Sequence, residues 1–225
     1  MVRHLALLLL APLSGCSLPR DSADTLHRVQ NGTLRAGLIQ NPPWVVTNGS
    51  LSGVEVELVR RLAGQLGARV DWTSGSESEL LMALRERDLD LVVGGLTSKD
   101  PWKKRVAFTR QFYTDSVVVS APTGSDPGQL RDIPIAVEAG SPAIRYLRKK
   151  GAVPLVTKDL STARGAVAAE SWLLARLGRP SSGPLLLQAQ HVVAVPPGEN
   201  QWLMRVETLL EQVKDTVPTL LRTAQ

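Results

Sequence analysis

Sulfur chemistry is almost absent from this chain, whose 225 residues contain a single cysteine, Cys16. A disulfide within the chain is therefore impossible, and so is a zinc site or iron–sulfur cluster built on several cysteines. Histidine is nearly as scarce: His4, His27 and His191 show no ligand spacing, so no metal site is expected. Aromatic residues make up 4% of the chain, and the densest basic run, Lys103-Lys104-Arg105, is short and lies near Asp100. It reads as a solvated face rather than a basic stripe with interleaved aromatics, so no nucleic-acid partner is expected. The excess of 26 basic over 21 acidic residues, with an isoelectric point near 9.7, still permits attraction to phosphates or to an anionic membrane surface. Also missing are a nucleophile elbow, a Walker loop, a GxGxxG fingerprint and HExxH, so neither a cofactor nor an enzymatic centre is predicted. Taken alone, Gly94-Gly95 reads as a tight turn, and the sequons at Asn31 and Asn48 read first as Asn-Gly turns. The acid pairs Glu55/Glu57 and Glu77/Glu79 are spaced two apart, and Glu57 and Glu79 read as solvated faces.

What is present is an ordinary globular balance: 43% hydrophobic, 21% charged, mean hydropathy −0.01. At this length folding buries roughly 70% of the surface of the unfolded chain, enough for one large domain or two small lobes. Arg3 and His4 precede the apolar run Leu5 to Leu13, which ends in Leu13-Ser14-Gly15-Cys16. The run falls well short of the roughly 20 residues that span a bilayer and reads as a signal peptide. Its end resembles a bacterial lipobox, with the sole thiol at the position that is acylated. The expectation is a signal peptide over residues 1–15, lipidation at Cys16, and a tether over residues 16–30. The mature chain would then sit in the periplasm or at the cell surface, anchored to a membrane.

From Thr33 onward, short apolar runs alternate with amphipathic stretches, which predicts an α/β architecture. Strands are expected at Leu34–Ile39, Arg69–Trp72, Leu89–Val93, Ser116–Ser120, Ile133–Val137, Val153–Val156, Ala166–Ala169 and Val192–Val195. Helices are expected at Val54–Gly67, Ser78–Arg87, from Pro142 to about Lys150, around Ser161–Arg164, at Ser171–Leu177, and in two final segments beginning near Trp202 and Val217. The Pro- and Gly-rich stretch Ala121–Gly128 marks a lobe boundary. This gives a first lobe over 31–120, a smaller second lobe over 121–190, and a hinge return with C-terminal helices over 191–225 that pack on the first lobe.

Four segments in order, Gly53-Val54-Glu55-Val56-Glu57-Leu58, Leu89 through Thr97, Arg105-Val106-Ala107-Phe108-Thr109 and Ile135 through Ser141, resemble the amino-acid-type, family 3 solute-binding proteins of ABC importers. The resemblance implies two α/β lobes of the type II periplasmic-binding-protein fold, joined by a two-strand hinge around an interlobe cleft. It implies a monomer that delivers a small ligand to a permease without chemistry. By the same resemblance Trp44 falls near an aromatic that packs on ligand. Gly95 and Thr97 fall where a carbonyl and a hydroxyl take the ligand's amino group, with Gly94 beside them as a further candidate binding residue, Ser141 where a backbone N–H meets a carboxylate, and Glu170 where an aspartate pairs with the ammonium.

The departures from the family pattern set the ligand expectation. Trp102 stands where the family has an arginine that forks onto the ligand carboxylate, and Lys99 stands at the second threonine. Arg105 is a candidate replacement for that clamp. Glu77 aligns near an aromatic wall and Glu138 at a position that is basic in some members. A cleft holding Trp44, Trp102 and Trp172 with Glu77, Glu138 and Glu170 would favour an amine lacking a required carboxylate, whereas Lys99 and Lys103 would favour an anion. Two alternatives stay open: a sensor or interaction lipoprotein on the same fold, and an enzyme such as a dehydratase.

Overall fold

The computed structural model describes residues 21–121, 129–181 and 183–223. The signal peptide, Cys16 and most of the Pro- and Gly-rich boundary stretch lie outside the described residues. The first part of the chain runs α1 (Thr25–Val29), β1 (Thr33–Leu38), α2 (Val54–Leu66), β2 (Arg69–Ser74), α3 (Glu77–Arg85), β3 (Leu91–Val93), a 3-10 turn (Pro101–Lys104) and β4 (Ala107–Phe108). There follow β5 (Tyr113–Ser120), β6 (Pro134–Glu138), α4 (Ala143–Lys149), β7 (Val153–Thr157), β8 (Ala166–Glu170), α5 (Ser171–Arg176) and β9 (Leu185–His191). The chain closes with β10 (Ala194–Val195), α6 (Asn200–Val213) and α7 (Val217–Thr223).

Two five-stranded sheets result, ordered β2-β1-β3-β10-β4 and β7-β6-β8-β5-β9. In the first, β1 pairs in parallel with β2 and β3, while β10 returns antiparallel between β3 and β4. Successive residues of β3 serve opposite faces, as strand geometry requires. Leu91 and Val93 join the core under α2, α6 and α7, and Val92 joins the core under α3. Leu58, Leu62 and Leu66 bury the inner face of α2, and Gly67, at φ 63°, ends the helix in the left-handed conformation that glycine adopts freely. Ser76 and Glu79 form a reciprocal capping box on α3, which uses one of the acid pairs for helix nucleation. Asn31 takes φ 55° in the turn between α1 and β1.

Residues 21–30, read from the sequence as part of a tether, are instead built into the first lobe. The Asp21 carboxylate accepts from the backbone N–H groups of Leu26 and Trp202, both at 3.0 Å. Buried Glu199 accepts from the Ser22 hydroxyl and from the N–H groups of Ala23 and Thr25. These carboxylates satisfy the otherwise open donors at the start of α1, and Val29 drops into the core. Within this stretch Asp21 is spent on backbone N–H groups, Arg28 pairs with the Asp90 carboxylate, and Asp24 and His27 form an exposed pair.

The second sheet has α4 over one face and α5 over the other, with Ile135, Val137 and Leu147 in one core and Val118, Val167 and Leu174 in the other. The helix expected around Ser161–Arg164 is absent: residues 158–165 cross from β7 to β8 as turns. A crossover between parallel strands ordinarily takes a dozen or more residues when it carries a helix. Val153 and Leu155 are accordingly left about half exposed on β7. The last strand also differs from expectation. Only Ala194–Val195 of the expected Val192–Val195 strand is regular, while Leu185–His191 forms an unanticipated β9 paired with β5.

Two short crossings join the sheets: residues 109–112 lead from β4 to β5, and residues 192–193 lead from β9 to β10. They are bonded to each other. The Thr109 N–H donates to the Val193 carbonyl, the Val193 N–H to the Thr109 hydroxyl and the Phe112 N–H to the His191 carbonyl, each at 3.0 Å. A paired double crossing of this kind is the geometry of a hinge.

Candidate functional site

A cavity of about 390 Å³ opens beside this double crossing, within the range of small-molecule sites, which begin near ~300 Å³. One wall is the Asn41–Trp44 segment that follows β1, and the floor is one face of the β8-β5-β9 portion of the second sheet. The register explains the floor: Val117 faces Glu170 on one side and Leu187 on the other, Asp115 faces Ala189, and Tyr113 faces His191. Paired residues of adjacent strands point to the same face, so Glu170, Asp115 and His191 reach the same space.

Three carboxylates line the cavity, those of Asp115, Glu138 and Glu170, together with the guanidinium of Arg176. Asp115 is 5% exposed, its Oδ2 accepts the Trp172 indole N–H at 3.0 Å, and its Oδ1 accepts the Ser116 N–H at 2.8 Å. Burial raises the Asp115 carboxyl above its usual range against the pull of those two donors. Burial also raises Glu170, and the neighbouring Asp115 and Glu138 add to the shift. An acidic, partly dehydrated pocket of this kind gains most from a ligand that brings positive charge.

The aromatic residues are less available than the sequence suggests. Trp44 is 5% exposed and stacks on His191 with centroids 3.9 Å apart and planes at 30°. Arg176 lies over the Trp172 ring at 5.6 Å and Arg105 over the Trp102 ring at 5.3 Å. Each indole therefore already has an internal partner on its ring.

Of the residues singled out in the sequence, Trp44, Glu138 and Glu170 line the cavity, with Trp172 beside them. The others do not. Gly94 and Gly95 donate their N–H groups to the Glu55 carboxylate at 2.6 and 2.8 Å, which pins the turn after β3 from inside the first lobe. Thr97 bridges to His191 through the backbone, and the Ser98 N–H donates to the Gln190 carbonyl, so this turn is tied to the hinge strand. Glu77 sits exposed at the start of α3, where burial and nearby Asp100 raise its carboxyl. Trp102 lines a separate surface hollow with Pro101, Lys104 and Arg105, and neither it nor the candidate carboxylate clamp at Arg105 is among the residues lining the cavity. Lys99 and Lys103 are exposed and outside it. The Ser141 N–H is taken by the Glu138 carbonyl at 3.1 Å, and its hydroxyl accepts from the Ala143 N–H.

The residues that sequence reasoning missed are Asp115, His191 and Glu55. Asp115 is the third residue of β5, which begins at Tyr113, three residues before the start at Ser116 that the valine-rich run suggests. Among the described residues, no group of three or more histidine, cysteine, aspartate or glutamate side chains is arranged to hold a metal ion, and no helix is long and apolar enough to cross a membrane.

Comparison with known proteins agrees with this architecture. The L-arginine-binding protein of Pseudomonas aeruginosa is 28% identical over 151 residues, covering 64% of this chain and 56% of that protein. The chain thus spans about half the length of the curated relatives it matches. Among solved structures, an ancestral cationic amino acid solute-binding protein superposes with a TM-score of 0.68 at 21% identity, covering 88% of this chain and 97% of the other. The unliganded, open L-cystine solute receptor of Neisseria gonorrhoeae gives 0.65 at 17% identity, covering 85% and 92%. Both likenesses establish the type II periplasmic-binding-protein fold. The family model for bacterial extracellular solute-binding proteins, family 3, matches residues 34–219. With its sheet order, its double crossing and the acid-lined cavity beside them, the chain belongs to the family 3 bacterial extracellular solute-binding proteins.

Proposed function

We propose that the cavity is the solute seat of an extracytoplasmic binding protein that hands a small cationic or amine-bearing solute to an ABC permease, without chemistry of its own. The observation that carries this reading is the charge around the cavity, three carboxylates against one guanidinium. Names of relatives point the same way, since they include an L-arginine-binding protein and a cationic amino acid binding protein. Cys16, at the end of a lipobox-like segment, is proposed as the lipid anchor holding a monomer at the outer side of a membrane. Capture is coupled to shape, because the cavity has walls from both lobes and the double crossing between them is the element that bends.

The test is a titration of tryptophan fluorescence and melting temperature with L-arginine, L-lysine, cadaverine, L-glutamine and L-glutamate. Trp44 and Trp172 line the cavity and report occupancy directly. Saturable shifts with the cations and none with glutamate are expected, with about 2.7 kcal/mol of added stability at 100 times Kd. A sensor or interaction lipoprotein is the second reading, favoured by the half-exposed Val153 and Leu155. It takes the place of the first if no solute in the series binds.

A further inference from the structure

Several hydrogen-bond donors on and around the cavity are already used within the protein. The Trp172 indole N–H donates to Asp115, and the Asn41 amide donates to the Gly94 carbonyl at 3.0 Å. The Gly94 and Gly95 N–H groups go to Glu55, and the Ser141 N–H goes to the Glu138 carbonyl. Arg176, the guanidinium on the lining, lies over the Trp172 ring, while Lys99, Lys103 and Arg105 are not on the lining at all.

Negative charge is in surplus. With all four groups ionised, Asp115, Glu138 and Glu170 against Arg176 leave two negative charges unbalanced around a cavity of about 390 Å³. These charges are close enough to act on one another: burial raises the Glu170 carboxyl, and the charges of Asp115 and Glu138 raise it further. Asp115 is buried with both oxygens bonded inside the protein, so it acts on a ligand through its field, whereas Glu138 is exposed and Glu170 half-buried. An amino acid with a basic side chain brings two positive charges and one negative, and its carboxylate has to enter the same field. The amine left when that carboxylate is removed brings the two positive charges alone. The first ligand loses at its carboxylate part of what it gains at its cationic groups, and the second has no such loss.

Resting on the solute-binding reading above, we propose that the solute is a dicationic amine without a carboxylate, of the class of cadaverine and agmatine, rather than a basic amino acid. Its two charges balance the surplus on the lining, and the α-carboxylate is the group that the cavity discriminates against.

Calorimetric titration of the purified protein at pH 7.5 with two matched pairs, cadaverine against L-lysine and agmatine against L-arginine, tests this. L-argininamide is the fifth probe, because it keeps the bulk at the α-carbon and removes the negative charge. Each amine is expected to bind at least about tenfold more tightly than its amino acid, with L-argininamide nearer to agmatine than to L-arginine. Glu138→Gln, at an exposed position, removes one negative charge and should narrow both preferences, since the ligand of higher net charge loses more attraction. An amino acid that binds as tightly as its amine overturns the proposal and leaves the solute-binding reading intact. L-argininamide binding as weakly as L-arginine does the same, because the discrimination would then follow size, and so does a preference that Glu138→Gln leaves unchanged. A protein that binds none of the five overturns both.

Discussion

In the first lobe, α2, α6 and α7 cover one face of the sheet and α3 the other, whereas in the second lobe the crossover from β7 to β8 carries no helix and leaves Val153 and Leu155 about half exposed. The lobes differ as much in what they give the cavity. The turn after β3 in the first lobe spends its two N–H groups on buried Glu55 and ties its following residues to β9. The second sheet instead lines the cavity with Asp115, Glu170 and His191, of which Asp115 and His191 are buried and Glu170 half-buried. The Gly94 and Gly95 N–H groups and the Gly94 carbonyl, which accepts from the Asn41 amide at 3.0 Å, are thus engaged within the first lobe. A well-covered first lobe acting as the rigid jaw, with recognition on the second sheet and the hinge strands, is the division we propose.

The largest expected effect probes the rigid jaw. Trp202 is fully buried on α6, and its indole N–H donates to the Asp90 carbonyl at 2.7 Å. The Asp90 carboxylate, although burial opposes its ionisation, is held below its usual range by hydrogen bonds from Arg35 and Arg28. Trp202→Ala is expected to cost about 3–5 kcal/mol in urea unfolding. A loss under about 1 kcal/mol would mean that the first lobe is not the stable half.

Glu55 gives the next effect, and its sign can be worked out. Burial raises its carboxyl from 4.5 to about 7, because the two glycine N–H groups only partly replace lost hydration. The folded state therefore holds a proton that the unfolded state has released. Stability from this group is present at pH 4.5 and is lost as pH rises to about 7, by roughly 3 kcal/mol in all. Glu55→Gln keeps an acceptor for Gly94 and Gly95 without a titrating charge, so its unfolding free energy at pH 8 relative to pH 5 should fall less than the parent's. Equal slopes would show that Glu55 is not the buried acid described.

Affinity should carry the opposite sign of pH dependence. Asp115 and Glu170 have raised carboxyls in the empty cavity, and a bound cation favours their charged forms. Glu138, His191 and Arg176 face the same space, and His191 stays neutral until about pH 4. Cation affinity is therefore expected to fall by about tenfold as pH drops from 7 toward 5, read by calorimetry. A flat profile would separate these acids from binding. The smallest effect belongs to the bare strip, where Leu155→Thr is expected to change stability by less than about 0.5 kcal/mol. A larger loss would show that something covers β7.

Much of the fold was legible because it rests on periodicity. The four-residue leucine spacing of α2 and the glycine that ends it, and the three-residue apolar run of β3, are local signals. β9 was not legible: Leu185-Leu186-Leu187 is followed by Gln188 and Gln190, and only its pairing with β5 makes that stretch a strand. The helix around Ser161–Arg164 failed for a related reason, since whether eight residues curl or simply cross depends on the distance between β7 and β8. Within the site, Trp44, Glu138 and Glu170 could be found by resemblance because they follow strands at matching positions. Trp102 and Glu77 could not be excluded from the cavity lining, because only three-dimensional packing places Trp102 on another hollow and Glu77 on the exposed start of α3. Glu55 alternates with Glu57, and Asp115 lies between Thr114 and Ser116, so nothing in their sequence neighbours records that they are buried.

The most direct test of the division between the lobes is a paired affinity measurement with L-arginine and L-lysine at pH 7.5. Asp115→Asn and Glu170→Gln each remove a cavity carboxylate, and Glu77→Gln and Trp102→Ala alter the positions marked in the first lobe. The first pair is expected to weaken binding by about 10- to 100-fold, as loss of a charged hydrogen-bonding partner does, with the second pair within about twofold of the parent. The opposite pattern, with the first-lobe variants crippled and the second-lobe variants unaffected, would contradict the account.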